Sequence, residues 1–215
     1  MTKKQRAAIC VERLKEEYPD ALCSLNAGNP LELLIATRLS AQCTDARVNL
    51  VTPALFEKYK TIDDYCEAKL SDVEEIIRSC GFYHTKAADI IGMAIKIRDD
   101  FGGEVPDSIE KLTTLPGVGR KTANLIMGDI YKQPAVVADT HLIRITNLLG
   151  LTDSKDPYKV ELQLKKILAP EESNDFCHRM VLHGRAVCVA RRPQCDKCCL
   201  KDVCKSARQI SDVRC

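Results

Sequence analysis

An all-α fold of roughly ten helices with short connections is predicted from two observations on the sequence. Helix start and stop signals recur along its 215 residues. Between these signals apolar residues repeat at helical spacing, as in LELLIATRLS (31–40) and ADIIGMAIKIRDD (88–100). The one strand-like run, PAVVAD (134–139), is short and has no obvious partner strand.

Four segments begin with the pattern typical of a helix N-terminus, in which a capping side chain is followed by proline or an acid. They start at Asn29 (with Pro30 and Glu32), Ser71 (with Glu74), Asp107 (with Glu110) and Asp156 (with Pro157). Glycines typical of a helix stop follow three of the periodic segments. They are Gly81, Gly102 with Gly103, and Gly150.

Membrane and secreted classes are not indicated. No apolar run reaches the length of about 18 residues that a transmembrane helix requires. The opening segment MTKKQRAAICVERLKEEYPD (1–20) is charged and lacks the apolar core of a secretory signal. We therefore expect it to form an amphipathic helix of a cytoplasmic protein that has no membrane partner.

The charge is unevenly distributed, although the formal net charge is only +2. Residues 176–208, including Arg208, hold eight Lys or Arg against two acids, whereas residues 62–75 hold six acids against one Lys. This asymmetry indicates one face for a polyanion and another face turned away from it. On charge alone, two solvated helix faces are the favoured explanation.

The central motif LPGVGRKTAN (115–124) lies between helices predicted at about 108–114 and 120–131. Its proline and two glycines predict a tight turn with free backbone N–H groups at the start of the second helix. Such a site suits a phosphate, and the missing Cβ atoms of Gly117 and Gly119 would let a DNA backbone approach. The alternative is an ordinary turn between two helices.

Two residues near this motif could carry chemistry. Lys121 lies in the first turn of the second helix, where the positive potential and partial burial would favour a neutral, nucleophilic amine. Such an amine can form a Schiff base with a sugar carbon, and the carboxylate of Asp139 could shuttle protons or stabilise positive charge. The alternatives are a surface lysine and an N-cap for the helix after Asp139, which Asp139 is expected to be in any case.

The cysteines form two groups. Those spread along the chain are expected to be small core residues: Cys10, Cys23, Cys43, Cys66, Cys80, Cys177 and Cys215. The others crowd into CVARRPQCDKCCLKDVC (188–204), where Cys188, Cys195, Cys198 and Cys204 follow at intervals of 7, 3 and 6. A metal site is predicted there, and the spacing alone leaves zinc and an iron–sulfur cluster nearly equal.

Together, LPGVGRKTAN, ADTHLIR (138–144) and the four spaced cysteines resemble endonuclease III, a family of helix-hairpin-helix DNA glycosylases with abasic-site lyase activity. LLIATRLSAQCTD (33–45) and CGFYHTKA (80–87) extend the resemblance over nearly the whole chain. It implies two helical domains flanking a DNA-binding cleft. Residues 22–132 would form a six-helix domain ending in the hairpin (about 108–131), and 1–21 plus 133–215 a second domain with an iron–sulfur loop at 188–204.

The same resemblance implies roles for individual residues. Lys121 would be the nucleophile, Asp139 the catalytic aspartate, and one 4Fe–4S cluster would bind the four spaced cysteines, with Cys199 a neighbour and no ligand. Gln42 would fill the gap left by the flipped nucleotide, and Phe82 would be a wedge where the family usually carries Leu or Ile. The DNA contacts implied are Gln42, Phe82, Gly117, Val118, Gly119, His141, Arg191 and Arg192, with Asp45 in the lesion pocket.

The implied function is removal of oxidised pyrimidines from double-stranded DNA and cleavage of abasic sites by β-elimination. We expect a monomer that requires neither Mg²⁺ nor a nucleotide cofactor. One alternative is the related mismatch adenine glycosylase, but that branch lacks the lysine. The other is a non-catalytic iron–sulfur DNA-binding protein, which the presence of both Lys121 and Asp139 disfavours.

Overall fold

A computed structural model describes residues 1–207. Within this range the chain is helical and contains no strand, as predicted. The α-helices are α1 (Lys3–Glu17), α2 (Pro30–Ser40), α3 (Asp45–Lys58), α4 (Ile62–Cys66), α5 (Leu70–Ile77), α6 (Tyr83–Phe101), α7 (Ile109–Leu112), α8 (Arg120–Asp129), α9 (Thr140–Leu149), α10 (Pro157–Lys165) and α11 (Ser173–Ala186). Short 3-10 helices lie at Arg78–Cys80, Pro170–Glu172, Cys195–Lys197 and Lys201–Val203.

Two of the four predicted helix starts are confirmed by their hydrogen bonds. The Asn29 side chain accepts from the N–H of Glu32 at 2.9 Å, and the Asp156 side chain accepts from the N–H of Lys159 at 2.8 Å. The predicted stops are also confirmed, because Gly102 and Gly150 end α6 and α9 in the left-handed conformation and Gly81 follows the 3-10 helix at Arg78–Cys80.

The other two predicted starts are wrong by one or two residues. Ser71 lies inside α5, because the carbonyl of Lys69 already accepts from the N–H groups of Asp72 and Val73. Asp107 does not cap α7. Its neighbour Ser108 accepts from the N–H of Lys111 at 3.3 Å instead. Ser108 caps its helix with its side chain, whereas α5 begins after Lys69 without a side-chain cap.

One compact unit comprises residues 23–132 and contains α2 to α8. Helix α6 packs against α4 and α5, and α2 packs against α3 and α8. Its core is made of fully buried aliphatic side chains such as Leu34, Leu55, Ile77 and Ile90. A Cβ built on Gly92 of α6 would lie 3.4 Å from Pro116, so α6 supports the hairpin turn directly.

The second compact unit comprises residues 1–22 and the chain from 133 onward. Helix α11 packs against α1 and α9, and the core includes Leu14, Leu142 and Phe176. Helices α9 and α11 approach closely, because a Cβ on Gly184 would lie 2.5 Å from Nδ1 of His141. These units are defined by contacts between residues, whereas a domain is a part of the chain that folds independently. The predicted domain at residues 22–132 therefore stays a prediction.

The spread cysteines are only partly in the core. Cys10, Cys80 and Cys177 are buried as predicted, whereas Cys23, Cys43 and Cys66 are half-buried. Cys215, which was also predicted to be buried, and Arg208 lie outside the described residues. Among residues 1–207 no helix is both long enough and apolar enough to cross a membrane.

Candidate functional site

The hairpin connects α7 to α8. Packing within the protein explains why its first glycine, Gly117, cannot be a larger residue. Gly117 has a φ of +71°, and a Cβ there would lie 2.6 Å from Nε of Arg38 and 2.8 Å from Oδ2 of Asp89. Arg38 and Asp89 form a largely buried ion pair, with Nη2 of Arg38 2.6 Å from Oδ2 of Asp89. The missing Cβ of Gly117 therefore serves this packing, and its role in the approach of DNA stays a prediction.

The second glycine faces outward. Gly119 is the N-cap of α8, has no side chain to accept from the first turn, and would place a Cβ in open space. The turn was expected to have free N–H groups, but the N–H of Val118 donates to the carbonyl of Leu115 at 3.2 Å. The Val118 side chain is 6% exposed, so this residue builds the turn.

Lys121 follows Gly119 in the first turn of α8, as predicted. Its side chain is exposed, so the expected partial burial is wrong for this structure. The reason is that no other segment of the described chain covers this side chain. In the described part of the chain the amine has no hydrogen-bond acceptor.

Asp139 is the N-cap of α9, which confirms that part of the sequence analysis. Its Oδ1 accepts from the N–H of Leu142 at 2.7 Å, and its side chain is half-buried. No described residue hydrogen-bonds its Oδ2. The cap therefore occupies one carboxylate oxygen and leaves the second available. His141 lies on the same helix, and among residues 1–207 its buried Nδ1 has no partner.

Gln42 and Phe82 share a conformation that sequence reasoning did not predict. Gln42 lies between α2 and α3 with a φ of 54°, and Phe82 precedes α6 with a φ of 49°. Left-handed backbone is unfavourable for a bulky residue and concentrates at functional sites. Both side chains are exposed, with Phe82 at 67%. Asp45 lies nearby in sequence at the start of α3, where its Oδ2 accepts from the Ser24 hydroxyl at 2.6 Å.

The four spaced cysteines lie in a loop with little regular structure, and all are half-buried. Burial raises the pKa of Cys198 to about 11, and the nearby thiols of Cys188 and Cys204 add to the shift. Burial also raises the pKa of Cys188, to which the Cys204 and Cys195 thiols contribute. The Cys199 thiol also raises the pKa of Cys198, so the thiols of Cys188 and Cys198 lie among several others in this loop.

Nitrogen donors face two of these thiols. Arg144 reaches Sγ of Cys188 at 3.6 Å with one guanidinium nitrogen and donates to the Cys188 carbonyl at 2.7 Å with the other. Nε2 of the buried His183 lies 3.4 Å from Sγ of Cys198. In the described part of the chain, no three His, Cys, Asp or Glu side chains are grouped to hold a single metal ion.

Helix α1 also holds the cysteine loop, which the sequence analysis missed. Nε of Arg6 donates to the Val203 carbonyl at 3.0 Å, and Arg13 donates to the Cys199 carbonyl at 2.9 Å. Arg13 is also paired with Asp202. Arg6 and Arg13 are seven residues apart on one face of α1, and that spacing was the signal available in the sequence.

Arg191 and Arg192 lie in the irregular segment between the first two of the spaced cysteines. Both are exposed, and no carboxylate among residues 1–207 pairs with either of them. The nearby Asp196 instead pairs with Lys201 at 2.8 Å. The two guanidinium groups are therefore available to an external anion.

Comparison with known proteins identifies the family. Residues 35–170 match the HhH-GPD superfamily of base excision DNA repair proteins. The chain is 46% identical over 208 residues to endonuclease III of Synechocystis sp., which covers 96% of this chain and 95% of that protein. This chain belongs to the endonuclease III family.

Solved structures of endonuclease III share its fold. A non-covalent endonuclease III–DNA complex matches with a TM-score of 0.92 at 43% identity, covering 99% of this chain and all of that one. A trapped endonuclease III–DNA covalent intermediate matches with a TM-score of 0.91 at 43% identity, covering 98% of this chain. The predicted all-α helix-hairpin-helix fold is confirmed, and the protein is a base excision repair enzyme, a DNA glycosylase and abasic-site lyase.

Proposed function

We propose that this enzyme removes oxidised pyrimidines from double-stranded DNA and then cleaves the abasic site by β-elimination through a Schiff base on Lys121. One observation carries the proposal. An exposed lysine with no partner in the described chain stands in the first turn of α8, directly after a glycine turn that can bind phosphate. The lesion class rests on the motifs at 33–45 and 80–87 that resemble those of endonuclease III.

The hairpin positions DNA beside this amine. The uncapped first turn of α8 presents N–H groups and the positive end of the helix dipole, which together favour a phosphate oxygen. Gly119 adds no side chain that would keep the DNA backbone away. Bound DNA would cover Lys121, and the loss of water together with the positive potential favours the neutral amine. A neutral amine can act as a nucleophile.

The reaction then follows from these groups. The amine of Lys121 forms a bond to C1′ as the bond from C1′ to the damaged base breaks, and the base leaves with a proton. The bond from C1′ to the ring oxygen O4′ then breaks, a proton passes from the nitrogen to O4′, and the imine between Lys121 and C1′ remains. Loss of a C2′ proton then breaks the bond from C3′ to the phosphate oxygen and nicks the strand. We assign the proton transfers and the stabilisation of positive charge to the available oxygen of Asp139.

The lesion nucleotide must leave the stack before the amine can reach it. We propose that Gln42 fills the gap in the duplex and that Phe82 enters as an apolar wedge, as such side chains do when they kink DNA. Their exposure and strained backbone support this role.

The remaining residues are assigned to other parts of the bound DNA. Asp45 is assigned to the lesion pocket, and His141 to the bound DNA. Arg191 and Arg192 are assigned to phosphates, because both are exposed and have no carboxylate partner in the described chain.

We further propose that Cys188, Cys195, Cys198 and Cys204 hold one 4Fe–4S cluster, which would supply a structural link for the loop. The residues fit this group, because the thiols of Cys188 and Cys198 lie near others of the four and a guanidinium nitrogen of Arg144 faces the Cys188 sulfur. Cys199 is left outside the ligand set.

We expect the enzyme to act as a monomer on chromosomal DNA in a prokaryotic cytoplasm. It should require neither Mg²⁺ nor a nucleotide cofactor, since an amine and a carboxylate suffice for the proposed chemistry.

Borohydride trapping tests the central claim. The enzyme is incubated with a duplex carrying one oxidised pyrimidine, and borohydride reduces any imine to a stable adduct. Lys121→Gln should abolish the adduct while lesion binding stays nearly unchanged, because the hairpin N–H groups remain. Lys111→Gln, on the neighbouring helix α7, is the matched control and should form the adduct normally. An adduct from Lys121→Gln would show that another amine is the nucleophile.

A further inference from the structure

Lys86 in α6 is a buried charge that the reaction does not use. Its side chain is 1% exposed, and its Nζ donates to the carbonyl of Leu39 at 2.8 Å and to the carbonyl of Cys80 at 2.9 Å. Burial lowers the pKa of Lys86, and no carboxylate among residues 1–207 forms an ion pair with it. A buried amine without a counter-ion is unfavourable for folding, so these two bonds need an explanation.

Both acceptors lie at the ends of helical segments. Leu39 is in the last turn of α2, and the N–H of Cys43 that could have served it donates to Ser40 at 3.0 Å instead. Cys80 ends the 3-10 helix at Arg78–Cys80. Carbonyls at such ends lack intrahelical donors and carry partial negative charge. One ammonium group therefore satisfies two helix ends that belong to different parts of the chain.

The two exposed, left-handed residues follow immediately. Gln42 comes three residues after Leu39, and Phe82 comes two residues after Cys80. The backbone N–H of Lys86 also donates to the Phe82 carbonyl at 3.1 Å. Lys86 thus fixes the backbone on both sides of Phe82 and at the start of the turn that carries Gln42.

We propose that Lys86 is a positioning residue for base excision, whose side chain holds the Gln42 and Phe82 turns in the arrangement that enters DNA. This inference rests on the proposed insertion of those two side chains. Insertion into one lesion site requires both turns to be placed together, and a displacement of about 1 Å can reduce a rate about a hundredfold. Lys86 is suited to this because it is the shared donor to both turns.

Lys86→Met tests the inference, with Lys96→Met in the same helix as the matched control. Lys96 is partly exposed and pairs with Asp100, away from both turns. Lys86→Met should lower the rate of base excision about a hundredfold. Its affinity for undamaged DNA should change by no more than about twofold, since the phosphate contacts are independent of the turns. Lys96→Met should match the unmodified enzyme in both measurements.

A double-mutant cycle separates positioning from general damage to the fold. In a Gln42→Ala/Phe82→Ala background, Lys86→Met should change the rate by no more than about twofold, because the side chains that it positions are gone. A repeat of the full loss in that background, or no loss in the parent enzyme, would overturn the inference and leave the insertion role standing. If Gln42→Ala/Phe82→Ala itself excises normally, the insertion role fails, and the inference fails with it. Should Lys86→Met not fold, Lys86→Gln, which keeps an amide donor, enters the same cycle.

Discussion

The hairpin and the cysteine loop reach their shapes by opposite means. The hairpin is defined by its own unit, since Gly117 packs on the Arg38–Asp89 pair and Pro116 lies against α6. The cysteine loop, residues 188–204, has only two short 3-10 helices and depends on side chains from α1, α9 and α11. A packed turn is stable without a ligand, whereas a loop of half-buried thiols depends on what binds them. The two regions should therefore respond very differently to mutation.

The largest expected effect is in the cysteine loop. The proposed cluster should make the protein brown. Cys195→Ser should lose this colour and fold poorly, because binding of a cluster would be coupled to folding of the loop. Cys199→Ser is the matched control. It should keep the colour and contain about four iron atoms and four sulfides per chain. Metal analysis and the visible spectrum decide the outcome. Stoichiometric zinc with no visible absorption would contradict the proposed cluster.

The next largest effect is expected at Asp139, the carboxylate proposed to transfer protons. Asp139→Asn should preserve the cap of α9, because asparagine also accepts from the helix N–H groups. Release of the damaged base should slow by roughly 10²–10⁴, the range for lost general acid–base catalysis. Borohydride trapping at a pre-formed abasic site should suffer less, since that sugar has already lost its base. Unchanged base excision would show that Asp139 serves only as the N-cap of α9.

A glycine pair sharpens the comparison within the hairpin. Gly117→Ala should lower the free energy of unfolding by about 1–3 kcal/mol, because the residue is left-handed and its Cβ would meet Arg38. Gly119→Ala has room and an ordinary φ of −93°, so its stability should change by less than about 1 kcal/mol. Denaturant unfolding measures both. Equal losses in the two variants would contradict the packing role assigned to Gly117.

The smallest effect is expected at the rim of the cysteine loop. Arg191→Gln/Arg192→Gln should weaken binding to damaged and undamaged DNA alike and make the dependence on salt shallower, by about one unit of slope per lost contact. Titrations at several salt concentrations measure this. Lys4→Gln, an exposed lysine of α1, serves as the control. A loss confined to one lesion would be inconsistent with phosphate contacts.

Local features of the sequence predicted the helices well, because the signals for capping lie within a few residues of each other. Asn29 and Asp156 cap their helices as predicted. The error at Asp107 arose because the adjacent Ser108 caps α7, whereas α5 starts after Lys69 with no side-chain cap that the sequence could have signalled. The position of Asp139 as a cap was predictable for the same reason.

Contacts between distant segments were not predictable. Glycine is required at position 117 because its backbone lies against Arg38 and Asp89, which are distant in sequence and meet only in the folded unit. Likewise, the arginines of α1 reach carbonyls nearly two hundred residues away. The residue type does not signal the left-handed backbone at Phe82, because phenylalanine rarely adopts it. The exposure of Lys121 similarly follows from which segments fail to cover the hairpin.

The left-handed backbone at Phe82 affects how selection for thermal stability would act on this residue. Glycine adopts this conformation freely, whereas a bulky residue there costs roughly 1–3 kcal/mol. Selection for thermal resistance alone should therefore enrich Phe82→Gly, since the exposed ring contributes little to the core. Selection for genome maintenance should oppose that change if the ring enters DNA. The aromatic side chain then persists because an organism with unrepaired lesions is outcompeted, even though a more stable sequence is one substitution away.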